Sequence, residues 1–469
     1  MLLPIMARKK QKQGCSRCAS LEAQIAALEA ELAKAKKHSG NSSKPPSGDI
    51  VKPKEKRKKR GRPRKRKIGG QPGHARHERK PFAPEELDQE WIWYYSECPC
   101  CGGRLTQQEQ PTRTFQHAEL LDVPVEKAEH TSYAQWCRRC ERTFEAPFPG
   151  ELRKAGLIGP RLTAFVGFLK GPCHMSFSTI RKFFRDVICV PISRGMLGKL
   201  VAKVSASLED PYEALCAMLP SEDRLNVDET GHKENGQRLW TWCFRAYLYT
   251  VYKISPSRGS KVLVETLGEE FEGILGCDYF SAYRKYMGDF HVLLQFCLAH
   301  LIRDVKFLAE HPNQKSQAYG KLLLEDLRRL FGVIHRRDQY ASPETFHRKL
   351  EQARDQLVWD ATRRCPFTRE ASNIAARFRE NAESYFRFIT DPRVEPTNNL
   401  AEQAIRFVAI HRRMTQGTRS EDGRRWCERI WTVVQTCGQQ QRSVFEFLVA
   451  AVTAYFRCER APSLVPDTS

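Results

Sequence analysis

Residues 224–230 read Arg-Leu-Asn-Val-Asp-Glu-Thr, and residues 273–279 read Gly-Ile-Leu-Gly-Cys-Asp-Tyr. Each run places apolar side chains before an aspartate, which predicts one strand that ends at Asp228 and another that ends at Asp278. A third acid, Glu402, lies in the helix-like run Asn-Asn-Leu-Ala-Glu-Gln-Ala-Ile-Arg. Two strand ends and one helix can bring three carboxylates to one metal site.

The sequence around these runs predicts a mixed sheet. Aromatic and branched residues mark five strands, at 224–227, 239–245, 248–255, 273–277 and 291–296. Helical sequence follows at 261–267 and 280–286. Three strands, a helix, a strand, a helix and a strand is the order of a ribonuclease-H-like α/β domain.

The chain as a whole is predicted to be a multidomain α+β protein. Its 469 residues correspond to roughly three domains at about 150 residues each. The predicted segments are a short coiled coil (15–40), a basic arm (41–80), a zinc ribbon (81–155), a helix-turn-helix-like unit (156–215), the first part of a catalytic core (220–298), an all-helical insertion (299–390), the second part of the core (391–435) and a helical C-terminus (436–469).

Positive charge is concentrated at the N-terminus. The formal net charge is +22, and residues 1–80 hold 24 Lys or Arg against 6 Asp or Glu. Closely spaced basic residues in an extended, proline-containing stretch suit an A/T-rich minor groove or, more generally, phosphates. The candidate residues are Arg60, Arg62, Arg64 and Lys65. Nucleic acid is therefore the first expected partner, ahead of an anionic membrane, and a solubilising tail is the plain alternative.

The apolar content argues against membrane insertion and secretion. No apolar run approaches the ~20 residues of a membrane span, and the opening Met-Leu-Leu-Pro-Ile-Met is too short for a signal-peptide core. The 17 cysteines are mostly scattered singly, as expected for reduced thiols. We expect a cytoplasmic, nucleoid-associated protein.

An apolar seam near the N-terminus predicts a short coiled coil. Its residues, at spacings of four, three and four, are Leu21, Ile25, Leu28 and Leu32. Two heptads are marginally stable alone, so the seam is expected to pair with another copy or with the body of the protein. A simple amphipathic helix is the alternative.

Two Cys-x-x-Cys pairs predict a structural zinc site. The four thiolates that can close a tetrahedral site are Cys98, Cys101, Cys137 and Cys140. Cys100 is expected to be a bystander in the first pair. A third pair, Cys15 and Cys18, has no partner pair, which favours free thiols over a site shared across a dimer.

Three short helices are predicted at 161–170, 176–187 and 193–204, with Ser176 and Ser193 as N-caps. This order is typical of a helix-turn-helix unit. The last helix carries three candidate DNA contacts, Arg194, Lys199 and Lys203. Plain helical scaffolding is the alternative.

At the runs Val-Asp-Glu-Thr, Cys-Asp-Tyr and Asn-Asn-Leu-Ala-Glu, the chain resembles the transposases of bacterial insertion-sequence elements, specifically the insertion-sequence sixty-six family. The resemblance extends over nearly the whole chain, from the Asn41-Ser-Ser-Lys-Pro-Pro-Ser linker to the C-terminal Arg442-Ser-Val-Phe-Glu-Phe-Leu run. It implies that Asp228, Asp278 and Glu402 are the acid triad of a DNA transposase. Many members have arginine where this chain has Gln403, which leaves the acid intact.

Carboxylates suit this chemistry because strand cleavage and strand transfer are in-line displacements at phosphorus. Two metal ions can stabilise the attacking and leaving oxygens, and oxygen ligands favour Mg²⁺, or Mn²⁺. The expected arrangement has two ions per active site, with Asp228 binding both and Asp278 and Glu402 completing one site each. The resemblance also implies DNA ends and target DNA as partners, a homo-oligomer and small companion proteins of the same element.

Each acid has an alternative structural role. Asp228 can open a hairpin turn with Gly231, and Asp278 can cap the helix that follows. Glu402 can close a capping box with Asn399 or pair with Arg406 four residues on.

Neighbouring residues raise further alternatives. Glu395 is a rival third acid in an extended stretch before a proline. Glu229 is expected to point to the opposite face of its strand from Asp228. Cys297 and His300 have soft-metal spacing, although a packed thiol and a hydrogen-bonded imidazole are favoured over a further zinc site.

A basic tract follows the third acid. Three of its residues are candidate DNA contacts, Arg406, Arg412 and Arg413, and a solvated helix face is the alternative. A DNA transposase is the leading hypothesis. Its rivals are a DNA-binding regulatory protein without active chemistry and a nuclease of the same fold that does not join strands.

Overall fold

A computed structural model describes residues 16–38, 41, 82–88, 92, 98–104, 116, 124–139, 141–145 and 147–466. Contacts divide the chain into two compact units, one formed by 54–129 with 187–189 and the other by the remaining residues. The predicted basic arm, apart from Asn41, lies outside the described residues, and so do Cys15 and Cys140 and the side chains of Cys18 and Cys137.

The described residues contain fifteen α-helices and seven strands. The strands are β1 (Ala134–Cys137), β2 (Arg142–Glu145), β3 (Arg224–Glu234), β4 (Gln237–Arg245), β5 (Thr250–Ser255), β6 (Ile274–Cys277) and β7 (Leu293–Phe296). The helices are α1 (Ser16–Ala35), α2 (Gly150–Ala155), α3 (Pro160–Lys170), α4 (Phe177–Asp186), α5 (Arg194–Ser207), α6 (Glu209–Met218), α7 (Lys261–Leu267), α8 (Ser281–Phe290), α9 (Leu298–Ala309), α10 (Gln314–His335), α11 (Pro343–Arg363), α12 (Arg369–Thr390), α13 (Asn399–Thr415), α14 (Glu421–Gln439) and α15 (Val444–Arg457). The protein is therefore a mixed α/β protein with many helices.

A five-stranded mixed sheet forms the centre of the larger unit, in the order β5-β4-β3-β6-β7. Strands β3, β4 and β5 pair antiparallel in chain order, and β6 and β7 run parallel to β3. Alternate residues of β3 are buried, and β4 and β5 contribute Trp242, Phe244 and Tyr252 to the core. The predicted order of strands and helices in this region is confirmed.

The predicted end of strand β3 is wrong. The sequence predicts a strand that ends at Asp228, but β3 continues for six residues to Glu234. Gly231 pairs with Trp240 inside the ladder, and the turn of the hairpin lies at Asn235 and Gly236, both of which have positive φ. Asp228 therefore does not open a hairpin turn with Gly231.

Helix α14 covers the edge strand β5 with its side chains. Thr436 Oγ1 accepts the N–H of Thr250 at 3.2 Å, and Thr432 Oγ1 accepts that of Tyr252 at 3.1 Å. One helical turn earlier, Glu428 Oε1 accepts the N–H of Ile254 at 2.6 Å. Four helical residues rise about 6 Å and two strand residues about 6.6 Å, so the two spacings match. These three backbone N–H groups of the edge strand therefore have hydrogen-bond acceptors without a further strand.

The segment 299–390 is mainly helical, as predicted, and the residues at 391–398 before α13 are not helical. The helical segment consists of α9, α10, α11 and α12, joined by short connections. Helix α1 contacts this insertion through polar groups, since Asn313 donates to Glu29 at 3.1 Å and Lys37 lies over the ring of Phe307. The four residues of the predicted seam are 45–65% exposed. Pairing of that seam with a second copy stays a prediction.

The three predicted helices before the sheet are present as α3, α4 and α5. Ser193 Oγ accepts the N–H of Met196, and Ser176 Oγ accepts that of Thr179, each at 3.1 Å, which confirms both serines as caps. Val204 of α5 packs against Gly167 of α3. Among the described residues, no helix has the length and apolar composition to cross a membrane.

Two buried carboxyl groups meet inside the helical insertion. Asp326 of α10 and Asp360 of α11 are 2% and 1% exposed. Burial first, and then the negative charge of Asp360, raises the pKa of Asp326 from 3.8 to about 6. The folded protein therefore binds a proton more tightly than the unfolded chain, so stability falls as pH rises from about 4 to about 6 and stays lower above that range.

Asp326→Asn is expected to raise the free energy of unfolding at pH 7.5 by on the order of 1 to 2 kcal/mol, because the amide removes the repulsion. The gain should shrink toward pH 4.5, where the native aspartate is protonated. Urea unfolding at several pH values measures both effects. Asp355→Asn, at an exposed position of α11, is the control, and an equal or larger gain at pH 4.5 would contradict the assignment.

Candidate active site at the centre of the sheet

The three candidate acids come from three different elements. Asp228 lies within β3, Asp278 follows directly after β6, and Glu402 lies in the first turn of α13. Since β3 and β6 are parallel neighbours in the sheet, Asp228 and Asp278 lie on adjacent strands. The negative charges of Asp278 and Glu402 both raise the pKa of Asp228, so the three carboxylates are near enough to interact electrostatically.

Asn398 attaches the helix of Glu402 to the sheet. This residue is 1% exposed, and its Nδ2 donates to Val227 O at 2.8 Å. Its Oδ1 accepts from Asn226 Nδ2 at 2.9 Å, and its N–H donates to Cys297 Sγ at 3.1 Å. The Asn398 carbonyl oxygen accepts the N–H of Glu402 at 3.1 Å. One asparagine thus fixes the third acid beside the strand of the first.

Gly276 makes room for this attachment. A Cβ atom on Gly276 would lie 2.5 Å from Asn226 Nδ2 and 3.7 Å from Asn398 Oδ1. Any side chain on this residue of β6 would displace the asparagine pair. The glycine in the run Ile-Leu-Gly-Cys therefore serves the site as well as the strand.

Burial and crowding of negative charge perturb both aspartates. Burial is the largest cause that raises the pKa of Asp228 well above its usual range, followed by the charges of Glu229 and Asp278. Burial also raises the pKa of Asp278 to about 7, with Glu229 as the next cause. Such crowded carboxylates are costly without a compensating cation.

The donor set fits a divalent metal ion. Three carboxylates offer hard oxygen ligands of the kind that Mg²⁺ and Mn²⁺ prefer. A bound cation would offset the burial, and the nearby negative charge, that raise the pKa values of Asp228 and Asp278. The residues present therefore suit the metal that the sequence predicts.

Glu402 is paired with an arginine that sequence reasoning missed. Arg303 Nη2 donates to Glu402 Oε1 at 3.0 Å and to Oε2 at 3.3 Å. His300 Nδ1 lies 3.5 Å from Glu402 Oε1. One ligand atom each from Cys297, His300 and Glu402 lie within 4.8 Å of one another. Arg303 follows His300 by three residues on α9, and this helical spacing was the only sequence signal that the two side chains are neighbours.

The structure distinguishes between the alternative roles that the sequence left open for Glu402, Asp278 and Glu395. Glu402 pairs with Arg303 rather than Arg406, and no side-chain cap is formed at the start of α13. Asp278 is not the N-cap of α8, because Phe280 holds that position without a side-chain cap; the Asp278 Oδ1 instead accepts the N–H of Phe280 at 3.0 Å in the turn before the helix. The rival Glu395 is exposed.

Glu229 faces away from Asp228, as expected, and is fully paired. Arg258 donates to its Oε1 through Nη2 at 2.6 Å and Nε at 2.9 Å. Tyr283 donates to its Oε2 at 2.6 Å. The Arg258 guanidinium also lies over the rings of Trp240 and Phe280. Glu229 therefore contributes charge to the site without being available as a ligand.

The candidate DNA contacts differ in their surroundings. Arg194 and Lys199 on α5 are exposed, and so are Arg406 and Arg413 on α13. Lys203 Nζ donates to the carbonyl oxygens of Lys154 and Ala155 at 2.7 and 3.0 Å, which ties α5 to the end of α2.

Arg412 also makes contacts within the protein. It donates to Thr230 Oγ1 at 3.1 Å and to the carbonyl oxygen of Gly231. Lys203 and Arg412 thus have structural roles, and DNA contact by any of the predicted basic residues stays a prediction.

The first cysteine pair has a defined turn. The Cys98 N–H donates to Gly103 O at 2.9 Å, and Gly102, with a φ of +70°, donates to Cys98 O at 2.8 Å. The N–H groups of Cys100 and then Cys101 lower the pKa of Cys98, which favours the thiolate that a metal requires. Cys137 ends β1. The zinc site itself stays a prediction.

Comparison with known proteins identifies the family of the chain. The family model described as the transposase IS66 family matches residues 155–425, more than half of the sequence. The chain belongs to this family. The matched IS66 segment includes all three candidate acids, and a second model, a family of unknown function termed DUF6444, matches residues 8–80.

Relatives of this IS66 family member occur in Sinorhizobium fredii (strain NBRC 101917 / NGR234). The uncharacterized protein y4hP is 25% identical over 400 residues, which cover 76% of this chain and 70% of that protein. The uncharacterized protein y4qI is 26% identical over 425 residues, which cover 83% of this chain and 76% of that protein. Both similarities cover more of the chain than the segment matched by the IS66 family model, in agreement with the resemblance over nearly the whole chain.

Proposed function

We propose that this protein is a DNA transposase that binds the ends of an insertion sequence and catalyses metal-dependent cleavage and strand transfer through Asp228, Asp278 and Glu402. The observation that carries the proposal is the electrostatic interaction of Asp228 with Asp278 and Glu402, since the negative charges of both raise the pKa of the Asp228 carboxyl group. Membership of the IS66 family supports it. We assign the mixed sheet, from its strand order, to the ribonuclease-H-like class.

The proposed chemistry divides between bound cations and the residues of the chain. Two Mg²⁺ or Mn²⁺ ions held by the carboxylates would stabilise the attacking and leaving oxygens at phosphorus. Asp228, which interacts electrostatically with both of the other acids, would ligate both ions. Asn398 keeps Glu402 at a fixed distance from β3, and the contact between Asp278 and the Phe280 N–H orients that carboxylate. Rigid placement of this kind lowers the cost of aligning the nucleophile.

DNA binding is proposed for several basic regions. The arm with Arg60, Arg62, Arg64 and Lys65 would bind phosphates by releasing counterions. Exposed Arg194, Lys199, Arg406 and Arg413 would add contacts along the described surface. A zinc ion held by Cys98, Cys101, Cys137 and Cys140, a homo-oligomer and small companion proteins complete the proposed assembly.

The purified full chain should convert DNA that carries the inverted repeats flanking its coding region into strand-transfer products with Mg²⁺ or Mn²⁺. Denaturing gels would show free 3′ ends and then their joining to a target plasmid. Product formation in the presence of EDTA would contradict the proposal. Binding without cleavage would identify the regulatory alternative, and cleavage without joining would identify a nuclease.

A further inference from the structure

One guanidinium group contacts two polar side chains at the third acid. Arg303 Nη2 donates to both oxygens of Glu402, and its Nη1 lies 3.4 Å from His300 Nε2. The side chains of Arg303 and Glu402 are 28% and 18% exposed, so water screens this pair only partly. The guanidinium therefore supplies, beside Glu402, the positive charge that a metal ion would bring.

The same guanidinium determines which nitrogen of His300 carries a proton. An arginine N–H can only donate, so its contact makes Nε2 the acceptor and leaves the proton of the neutral ring on Nδ1. His300 Nδ1 faces Glu402 Oε1 at 3.5 Å, is buried and has no hydrogen-bond partner. In this tautomer, inferred from the hydrogen bond, Nδ1 offers no lone pair to a metal.

We propose that Glu402 and His300 form a site for a divalent transition-metal ion and that Arg303 is the counter-ion that occupies it in the metal-free protein. Metal entry releases the guanidinium from Glu402. One proton then leaves Nδ1 for water and another joins Nε2, so that the ring stays neutral and Nδ1 becomes a ligand. The inference rests on the proposed function, because Glu402 is the third acid there.

The chemistry of the ligands selects the ion. An imidazole nitrogen suits Co²⁺ and Zn²⁺ best, and Mn²⁺, although it also favours oxygen, accepts it more readily than Mg²⁺ does. Cys297 Sγ accepts the N–H of Asn398, and this contact gives the thiol a positioning role. The Glu402 side of the active site should therefore bind Mn²⁺ more tightly than Mg²⁺.

The test measures metal binding by the full chain without DNA. Electron paramagnetic resonance of free Mn²⁺ gives the affinity, and competition with Mg²⁺ gives that of Mg²⁺. Arg303→Met should bind Mn²⁺ at least about tenfold more tightly, and His300→Gln about tenfold more weakly with Mg²⁺ affinity changed less than about twofold. The double variant Arg303→Met with Glu402→Gln should lose the gain.

Matched controls lie close by. Arg377→Met removes a guanidinium that pairs with Asp304 at 2.8 Å and is 20% exposed, without a contact to Glu402. His311→Gln removes a buried histidine just beyond the other end of α9, 4.0 Å from Glu370. Neither control should change Mn²⁺ affinity more than about twofold. If the thermal unfolding midpoint of Arg303→Met lies well below that of the wild type, Arg303→Gln gives the same test.

Two results would overturn the inference. One is an unchanged or weaker Mn²⁺ affinity in folded Arg303→Met or Arg303→Gln, and the other is a gain that persists in the double variant. Because no DNA is present, failure of the proposed function is separable: competition between Arg303 and Mn²⁺ without any strand transfer would reject only the transposase activity. Strand transfer without the competition would reject only the role of Arg303.

Discussion

Asp228→Asn, Asp278→Asn and Glu402→Gln are each expected to reduce metal-dependent strand transfer by about a thousandfold or more, which corresponds to ~4 kcal/mol in the activation free energy. Each amide keeps the shape of the acid but removes a negative ligand. Binding of DNA ends should change little, because the charge removed is not part of a basic surface. Strand-transfer assays and gel-shift titrations on the same preparations measure the two effects.

The stability of these variants separates a functional role from a structural one. Crowding and burial make Asp228 costly in the folded protein, so Asp228→Asn should keep or increase the thermal midpoint while activity is lost. Glu395→Gln, in the exposed stretch before α13, is the matched control and should retain full activity. Wild-type transfer by any one of the three triad variants would remove that residue from the site.

Asn398→Ala is expected to have the second largest effect, on both stability and activity. The alanine leaves Val227 O and the Asn226 amide without their partners in a buried position. Two such losses cost roughly 2 to 4 kcal/mol in the free energy of unfolding. Strand transfer should fall at least about a hundredfold, because Glu402 is no longer held beside Asp228.

Asn399→Ala provides the control for this prediction. Asn399 is the next residue, begins α13 and is exposed, so its loss should cost less than about 1 kcal/mol. Urea unfolding and initial rates of strand transfer give the comparison. An Asn398→Ala protein with wild-type stability and rate would show that other contacts position Glu402.

Local sequence signals predicted much of the secondary structure. Helical sequence predicted α7 at 261–267, where it is found, and serine caps predicted the starts of α4 and α5. These features depend on neighbours a few residues away. The end of β3 was wrong because β4 extends the pairing beyond Asp228, and a strand partner is not visible in a single run of sequence.

The partners in the candidate site were harder to predict for the same reason. Asp228, Asp278 and Glu402 could be proposed from residue type and position, and the charges of the other two act on Asp228 in the structure. Arg303 and Asn398 act through contacts that cross 99 and 171 positions of the chain. Such contacts follow from how α9 and α13 pack on the sheet, which spacing along the sequence does not encode.

The side-chain cover that α14 places on β5 has a consequence during synthesis. The strand emerges early, but its cover is made only after the entire helical insertion and α13 have left the ribosome. Until then the N–H groups of Thr250, Tyr252 and Ile254 are open to pairing with a strand of another nascent chain. A chain truncated before α14 should therefore aggregate through β5, and only the full-length product is protected against this form of self-association.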